Sequence, residues 1–317
     1  MKINVTKSII RQKLMIILSI TMMINSFVNP VNSFPIYAQQ GYENPREATG
    51  RIVCANCHLA QKTVSIEVPK SILPNTVFEA KVSVPYDINT KQILGNGTEG
   101  GLNTGAVLIL PDGFKLAPKN LLNQEIQDKT KNFYVQTYSK TKENILVVGP
   151  IGGTKNQEII FPIISPDPSK DKNTFFLKYP IYVGANRGRG QIYPTGDKSN
   201  NNVITSSTNG KVQKIEEKSS GTTSISIQRN DGEIINEEIP KGLKILVKEG
   251  SIVSINDNLT NDPNVGGFGQ NETEIVLQNP TRIKNMIIFF TAITLAQIFF
   301  VLKKKQWEKV QAAEMNF

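Results

Sequence analysis

The sequence is poor in side chains that bind metals. Its 317 residues include one histidine, His58, and two cysteines, Cys54 and Cys57. A closed zinc site needs four ligands, so zinc here would have to fall back on carboxylates. Methionine is missing between Met23 and Met286, so that stretch offers neither a thioether nor a second imidazole. Charge of one sign is scarce in the middle too. The chain carries a formal +9, yet residues 34–282 hold 27 basic against 25 acidic residues. The excess lies at the ends, which removes the main support for a nucleic-acid partner. No internal repeat is evident.

Both ends carry membrane signals. Residues 1–33 begin with Lys2, Lys7, Arg11 and Lys13 and no acid, followed by the apolar run LMIILSITMM. Val31 and Ser33 stand at the −3 and −1 positions of a cleavage before Phe34. This is the pattern of a cleaved secretory signal, with a retained N-terminal anchor as the alternative. Near the other end, MIIFFTAITLAQIFFVL contains no charge and Lys303, Lys304 and Lys305 follow at once. Residues 283–302 are long enough to cross a bilayer. The lysines keep the tail, 303–317, on the side of synthesis and place the bulk of the chain across the membrane.

Between the ends the pattern is β. KTVSIEVP, VFEAKVSVP, AVLILP, NILVVGP, EIIFPIISP and FFLKYPIYVG are short β-branched or alternating runs bounded by Pro, Gly and Asn. Their spacing predicts a sandwich rather than alternating βα units. LAPKNLLNQEIQDKTKN predicts a short helix. Composition turns polar near 198–222, after which ISIQ, EIINEEIP, LKILVKEG and SIVSI resume as strands. We expect a second, small β domain at 202–264, the alternative being one elongated domain. The strand ETEIVLQNP would rejoin the first domain before the anchor.

The stretch RIVCANCHLA holds both cysteines and the histidine. C-x-x-C-H is the attachment pattern for c-type haem: two thiols add across the two vinyl groups, and the adjacent imidazole becomes an axial ligand. A disulfide or redox C-x-x-C lacks its βαβ context here. The second axial ligand is the open question. The site is left open, or filled by a lysine or tyrosine, or filled by the α-amino group that cleavage frees. The α-amine, with a reference pKa of about 7.7–8.0 against about 10.4 for lysine, reaches its ligating form more easily.

FPIYAQQGYENPREATGRIVCANCHLA, GAVLILPDGF, YVGANRGRGQIYP and DPNVGGFGQNETEIVLQ resemble the cytochrome f family over nearly the whole chain. The resemblance implies a mainly β, elongated two-domain lumenal portion: a haem-bearing β-sandwich (34–201 and 265–282) and a barrel-sandwich hybrid (202–264), ahead of one transmembrane helix. NGKVQKI resembles an opening strand of lipoyl-carrier folds, without their carrier-lysine hairpin. It further implies one covalent haem c on Cys54 and Cys57, with His58 as proximal ligand and the Phe34 α-amino group as distal ligand. Gln92, Asn186, Gln191 and Asn201 match residues around an internal water chain; ordinary turn and strand-end hydrogen bonding is the alternative. The implied role is an electron carrier, not itself a catalyst, in the thylakoid membrane of a plastid or cyanobacterium. It would take electrons from the Rieske iron–sulfur subunit of the cytochrome bf complex. It would pass them to plastocyanin or a soluble c-type cytochrome. The chain departs from the family's usual pattern at two places. Phe34 stands where tyrosine is common, and Thr98 and Glu99 stand where plant-type members carry adjacent lysines.

Overall fold

Alternation of apolar and polar residues builds the smaller of the two facing sheets. The computed structural model describes residues 36–152 and 157–315. The predicted signal and Phe34 lie outside the described residues. In Val77–Ser83 every second side chain is buried, which is the two-residue period of a strand with one face inward. This strand pairs antiparallel with Ser65–Glu67 and with Glu158–Ile164, and Lys115–Leu116 completes a four-stranded sheet. Facing it is a six-stranded sheet in the order Ser71–Ile72, Gly267–Leu277, Lys178–Arg187, Asn103–Ile109, Lys142–Gly152 and Val135–Ser139. Between the sheets lie Phe78, Ala80, Val82, Leu108, Leu146, Ile159, Phe161, Ile163, Ile181 and Val183. The sandwich expected from the runs is the one observed.

The six-stranded sheet is unusual in being covered on its outer face too. In Asn103–Ile109 five consecutive residues are buried, as are Ile145 to Val148 in the neighbouring strand. Their outward side chains, Val107, Ile145 and Val147, form a second cluster with Ile52, Tyr138 and Phe268. The N-terminal segment supplies that cover. It runs through a short helix, Ile36–Gly41, and a 3-10 turn, Val53–Asn56.

The chain leaves this sheet after Arg187 and returns at Gly267, pairing directly beside the strand it left. The excursion holds its own four-stranded sheet, ordered Ile234–Ile239, Thr223–Gln228, Gly210–Glu217 and Ile252–Val253. It has its own core of Val212, Ile225, Ile227, Ile239, Val253 and Leu259. One expected strand is different. LKILVKEG makes a single bridge, Ile245 to Thr260, because the chain turns at Gly242 and Gly250, both at positive φ. The expected short helix is present as Gln124–Thr130, capped by the Asn123 side chain accepting from the Ile126 amide at 2.8 Å.

The C-terminal helix runs Pro280–Glu314, longer at both ends than the expected span. Asn279 caps it, accepting from the Arg282 amide at 3.1 Å, and Pro280 occupies the first turn. None of its side chains is buried, although its stretch Met286–Leu302 carries no charge and is mostly apolar. A core helix of a soluble protein would bury that surface. Thr291 and Thr294 donate their hydroxyls to the Ile287 and Phe290 carbonyls at 2.8 Å, so the apolar stretch carries no unpaired hydroxyl there. The helix is a single-pass membrane anchor in composition and length.

Phe161 is wholly buried at the centre of the sandwich core. Phe161→Ala is expected to cost about 3–5 kcal/mol of unfolding free energy, by the usual cost of emptying an aromatic core site. A denaturant titration of the β portion measures it. The same loss from Ile225→Ala should destabilise the separate cluster around Val212 without lowering the midpoint of the sandwich.

Candidate haem site

The 3-10 turn brings Cys54, Cys57 and His58 together. The Cys54 carbonyl accepts from the amides of Cys57 at 3.2 Å and His58 at 3.0 Å, so both thiols and the imidazole emerge from one tight turn. Packing on the outer sheet face needs room, and Gly184 supplies it. A side chain there would meet Phe268 at 2.7 Å and Ile52 at 2.9 Å. Along the same strand the outward positions read Tyr182, Gly184, Asn186. Tyr182 lies under the Arg46 guanidinium, 3.8 Å from the ring centroid. Asn186 reaches His58, its amide Nδ2 standing 3.0 Å from the ring Nε2. One strand thus carries three successive contacts to the segment above it.

The segment Gly190–Gln191 closes against the turn from the other side. The Cys57 carbonyl accepts from the Gln191 amide at 2.7 Å, and a side chain on Gly190 would stand 3.0 Å from that carbonyl oxygen. Gln191 returns a bond through its Oε1, which accepts from the Leu59 amide at 2.9 Å. Gln92 and Asn201 meet at Arg189. Gln92 accepts from its amide at 2.8 Å, and Asn201 donates to its carbonyl at 2.9 Å. The structure therefore gathers Gln92, Asn186, Gln191 and Asn201 around residues 186–191, although the sequence spreads them over more than a hundred positions.

Electrostatics separate this cluster from a redox dithiol. Burial pushes the Cys54 thiol up to about 12, with a backbone hydrogen bond lowering it slightly and Cys57 raising it. Cys57 is raised by burial as well. Reactive C-x-x-C pairs have the opposite shift. Both thiols are free and only part-buried. Burial lowers His58 to about 4, so the imidazole is neutral, its ligating form. One ring nitrogen is held by Asn186; the other, Nδ1, is buried with no partner among the described residues. An imidazole both oriented by its protein and bound to a metal needs one nitrogen for each task. The donor set therefore fits a haem c.

Sequence reasoning missed the groups that hold the N-terminal segment down. The Tyr138 hydroxyl stands 2.6 Å from both the Ala38 and Tyr42 carbonyls. Gln39 Nε2 donates to the Tyr138 carbonyl at 2.8 Å. Asn264 was missed too; its Oδ1 lies 3.4 Å from Asn201 Nδ2. These pairs are about a hundred and about sixty residues apart in sequence, and no local pattern announces them.

Two protonated thiols and a neutral imidazole on one turn, laid on a β-sandwich ahead of a membrane helix, place the molecule among the c-type cytochromes. Comparison with known proteins narrows the class. Residues 34–188 match the family model described as apocytochrome F, N-terminal, and residues 200–317 the one described as apocytochrome F, C-terminal. The chain is 67% identical over 307 residues to cytochrome f of Gracilaria tenuistipitata var. liui, covering 96% of this chain and 99% of that one. It is 62% identical over 320 residues to cytochrome f of Porphyra purpurea, covering the whole of both. Emiliania huxleyi cytochrome f is 60% identical over 291 residues, covering 92% and 93%. The chain belongs to the cytochrome f family, c-type cytochromes of the photosynthetic electron-transport chain.

Tyr138 provides a test of the clamp. Burial, then the neighbouring Cys54 and Tyr42, push its hydroxyl up to about 12. A raised acid favours its protonated form in the folded state. The clamp's stabilisation is therefore complete below the free tyrosine value of about 10 and is lost as pH climbs toward 12. Tyr138→Phe should remove about 0.5–1.5 kcal/mol at neutral pH, the net worth of an ordinary hydrogen bond, and flatten the stability curve between pH 10 and 12. Unfolding midpoints across that range measure both effects.

Proposed function

We propose that this chain is the membrane-anchored electron carrier that takes an electron from the Rieske iron–sulfur subunit of the cytochrome bf complex. It delivers that electron to plastocyanin or a soluble c-type cytochrome. It is a carrier subunit, not itself a catalyst. The observation that carries the reading is the turn of Cys54, Cys57 and His58 on the outer sheet face, with a neutral imidazole and two protonated thiols. Cys54 and Cys57 would hold the haem through thioether links from their sulfurs. His58 is the proximal ligand, oriented by Asn186. The haem supplies a one-electron iron couple. The turn that would hold that couple lies near the surface, where Leu59 is exposed.

The distal ligand is the α-amino group of Phe34, freed when residues 1–33 are removed. Support comes from the absence of methionine and of a second histidine from residues 34–282, and from the clamp at Tyr138, which fixes the chain a few residues downstream. Asn186, Gln191, Gln92 and Asn201 line a buried water chain. The unpaired Asn201 Oδ1 is a group such waters would satisfy. The haem-bearing domain comprises 34–201 and 265–282, and the small domain 202–264. The bulk lies in the thylakoid lumen, with 303–317 on the opposite face.

The docking surface is weakly basic. Lys91, exposed on the hairpin Lys91–Ile93 and Glu99–Gly101, has Glu99 3.8 Å away. Where a second and third lysine would concentrate charge, Thr98 and Glu99 dilute it. Electrostatic steering acts mainly on association rate.

Two expectations follow. Covalent haem should survive a denaturing gel and be lost from Cys54→Ala/Cys57→Ala. Adding one residue before Phe34 should keep the haem attached while changing its low-spin, six-coordinate spectrum. An unchanged spectrum would assign the distal position to a side chain. Separately, electron-transfer rate to an acidic carrier should fall only shallowly with salt, screening acting over about 8–10 Å at ordinary ionic strength. Glu99→Lys should steepen that dependence, and stopped-flow traces over a salt series measure it.

A further inference from the structure

The strand pair that carries the haem site at one end carries the membrane anchor at the other. Gly267 opposes Arg187, next to the site; Val276 opposes Lys178, four residues before the helix begins at Pro280. At that membrane end the loop before Lys178 presents three apolar side chains to solvent: Phe175 (58% exposed), Phe176 (37%) and Leu177 (54%). Leu73, 46% exposed, follows the edge strand Ser71–Ile72 on the same border. The loop and the anchor are physically joined. The Leu277 amide donates to the Leu177 carbonyl at 3.0 Å, and the Gln278 amide donates to the Ile72 carbonyl at 2.8 Å.

These side chains are also held in place. The Tyr179 hydroxyl donates to the Phe175 carbonyl at 2.8 Å and accepts from the Phe175 amide at 3.0 Å. The Tyr179 ring packs edge-on to the buried Phe114, with centroids 5.8 Å apart. The Leu73 carbonyl accepts from the Ser165 hydroxyl at 2.6 Å. A loop tied by its backbone to the core keeps its apolar side chains outward at little further entropic cost on binding. Lys70, Lys172, Arg282 and Lys284 lie around it in sequence, a basic surround that suits anionic headgroups.

We propose that Phe175, Phe176, Leu177 and Leu73 form a foot that inserts into the headgroup layer of the bilayer crossed by the helix from Pro280. The foot gives the β portion a second attachment beside the anchor and so restrains its tilt. The occupant is lipid, because the patch is continuous with the point where this chain enters the membrane and has Lys70, Lys172, Arg282 and Lys284 near it in sequence. Aromatic side chains favour that interfacial depth.

The proposal rests on the helix crossing a bilayer, and the test separates the two. In the full-length, haem-loaded protein a single introduced cysteine carries a nitroxide, with the unsubstituted chain setting the labelling background. Phe175→Cys reports the foot, Phe290→Cys the anchor, and Ile252→Cys an exposed site on the small sheet. Each is placed in vesicles of phosphatidylcholine and phosphatidylglycerol, and collision with oxygen and with an aqueous nickel chelate is read. The substitution at Phe175 spares the clamp, which uses its backbone. The label at 175 is expected to meet the nickel chelate at least about threefold less than the label at 252, the depth of an interfacial side chain. Equal accessibility at 175 and 252, with 290 deep in the bilayer, would overturn the foot and leave the anchor standing. An aqueous label at 290 would overturn the anchor and the foot with it. Shielding at 175 only in the assembled multi-subunit complex would also overturn it, assigning the patch to a protein neighbour.

Discussion

The outer face of the six-stranded sheet has to be covered, and the rest of the site depends on how that is done. Val107, Ile145 and Val147 point away from the sandwich core and are as apolar as the residues pointing into it. Left open, that face would expose a large apolar patch. The N-terminal segment closes it with Ile52, Ala38, Cys54 and Ala55. Placing the C-x-x-C-H turn is thus part of burying the sheet. The hydrophobic term that stabilises the fold also positions the thiols.

Burial then sets the chemistry. A turn pressed onto an apolar sheet face is poorly solvated, which raises both thiols and lowers the imidazole. All three shifts favour neutral groups: thiols less prone to disulfide exchange and an imidazole with a lone pair free to ligate. Beside Asn186, which contacts His58, other polar residues close by serve backbone groups. The Arg189 amide and carbonyl, the Cys57 carbonyl and the Leu59 amide all find partners in Gln92, Asn201 or Gln191.

The long strand Lys178–Arg187 sets the spacing between site and membrane. Its ten residues rise about 3.3 Å each, so its ends stand roughly 30 Å apart. The antiparallel partner Gly267–Leu277 carries the chain the same distance back to the anchor. The residues that contact the Cys54–Cys57–His58 turn therefore lie at the far end of this strand pair from the start of the C-terminal helix.

Much of this was legible in the chain. C-x-x-C-H, the charge-free run before three lysines, and the alternating strands are local patterns, and local patterns survive in one dimension because they reflect adjacent covalent geometry and solvent period. The family resemblance singled out Gln92, Asn186, Gln191 and Asn201, which the structure gathers around residues 186–191. Other features were hidden. Nothing near Tyr138 predicts its bonds to Ala38 and Tyr42, and nothing near Phe175 predicts that its loop borders the anchor. LKILVKEG has the composition of a strand and forms a single bridge. These outcomes depend on which strands become neighbours, a choice made by the whole core when it packs. The sequence by itself determined the C-x-x-C-H cluster and a C-terminal helix long and apolar enough to cross a membrane. Only the tertiary structure decided where those groups meet, because buried hydrogen bonds and side-chain contacts form between residues that covalent order keeps a hundred positions apart.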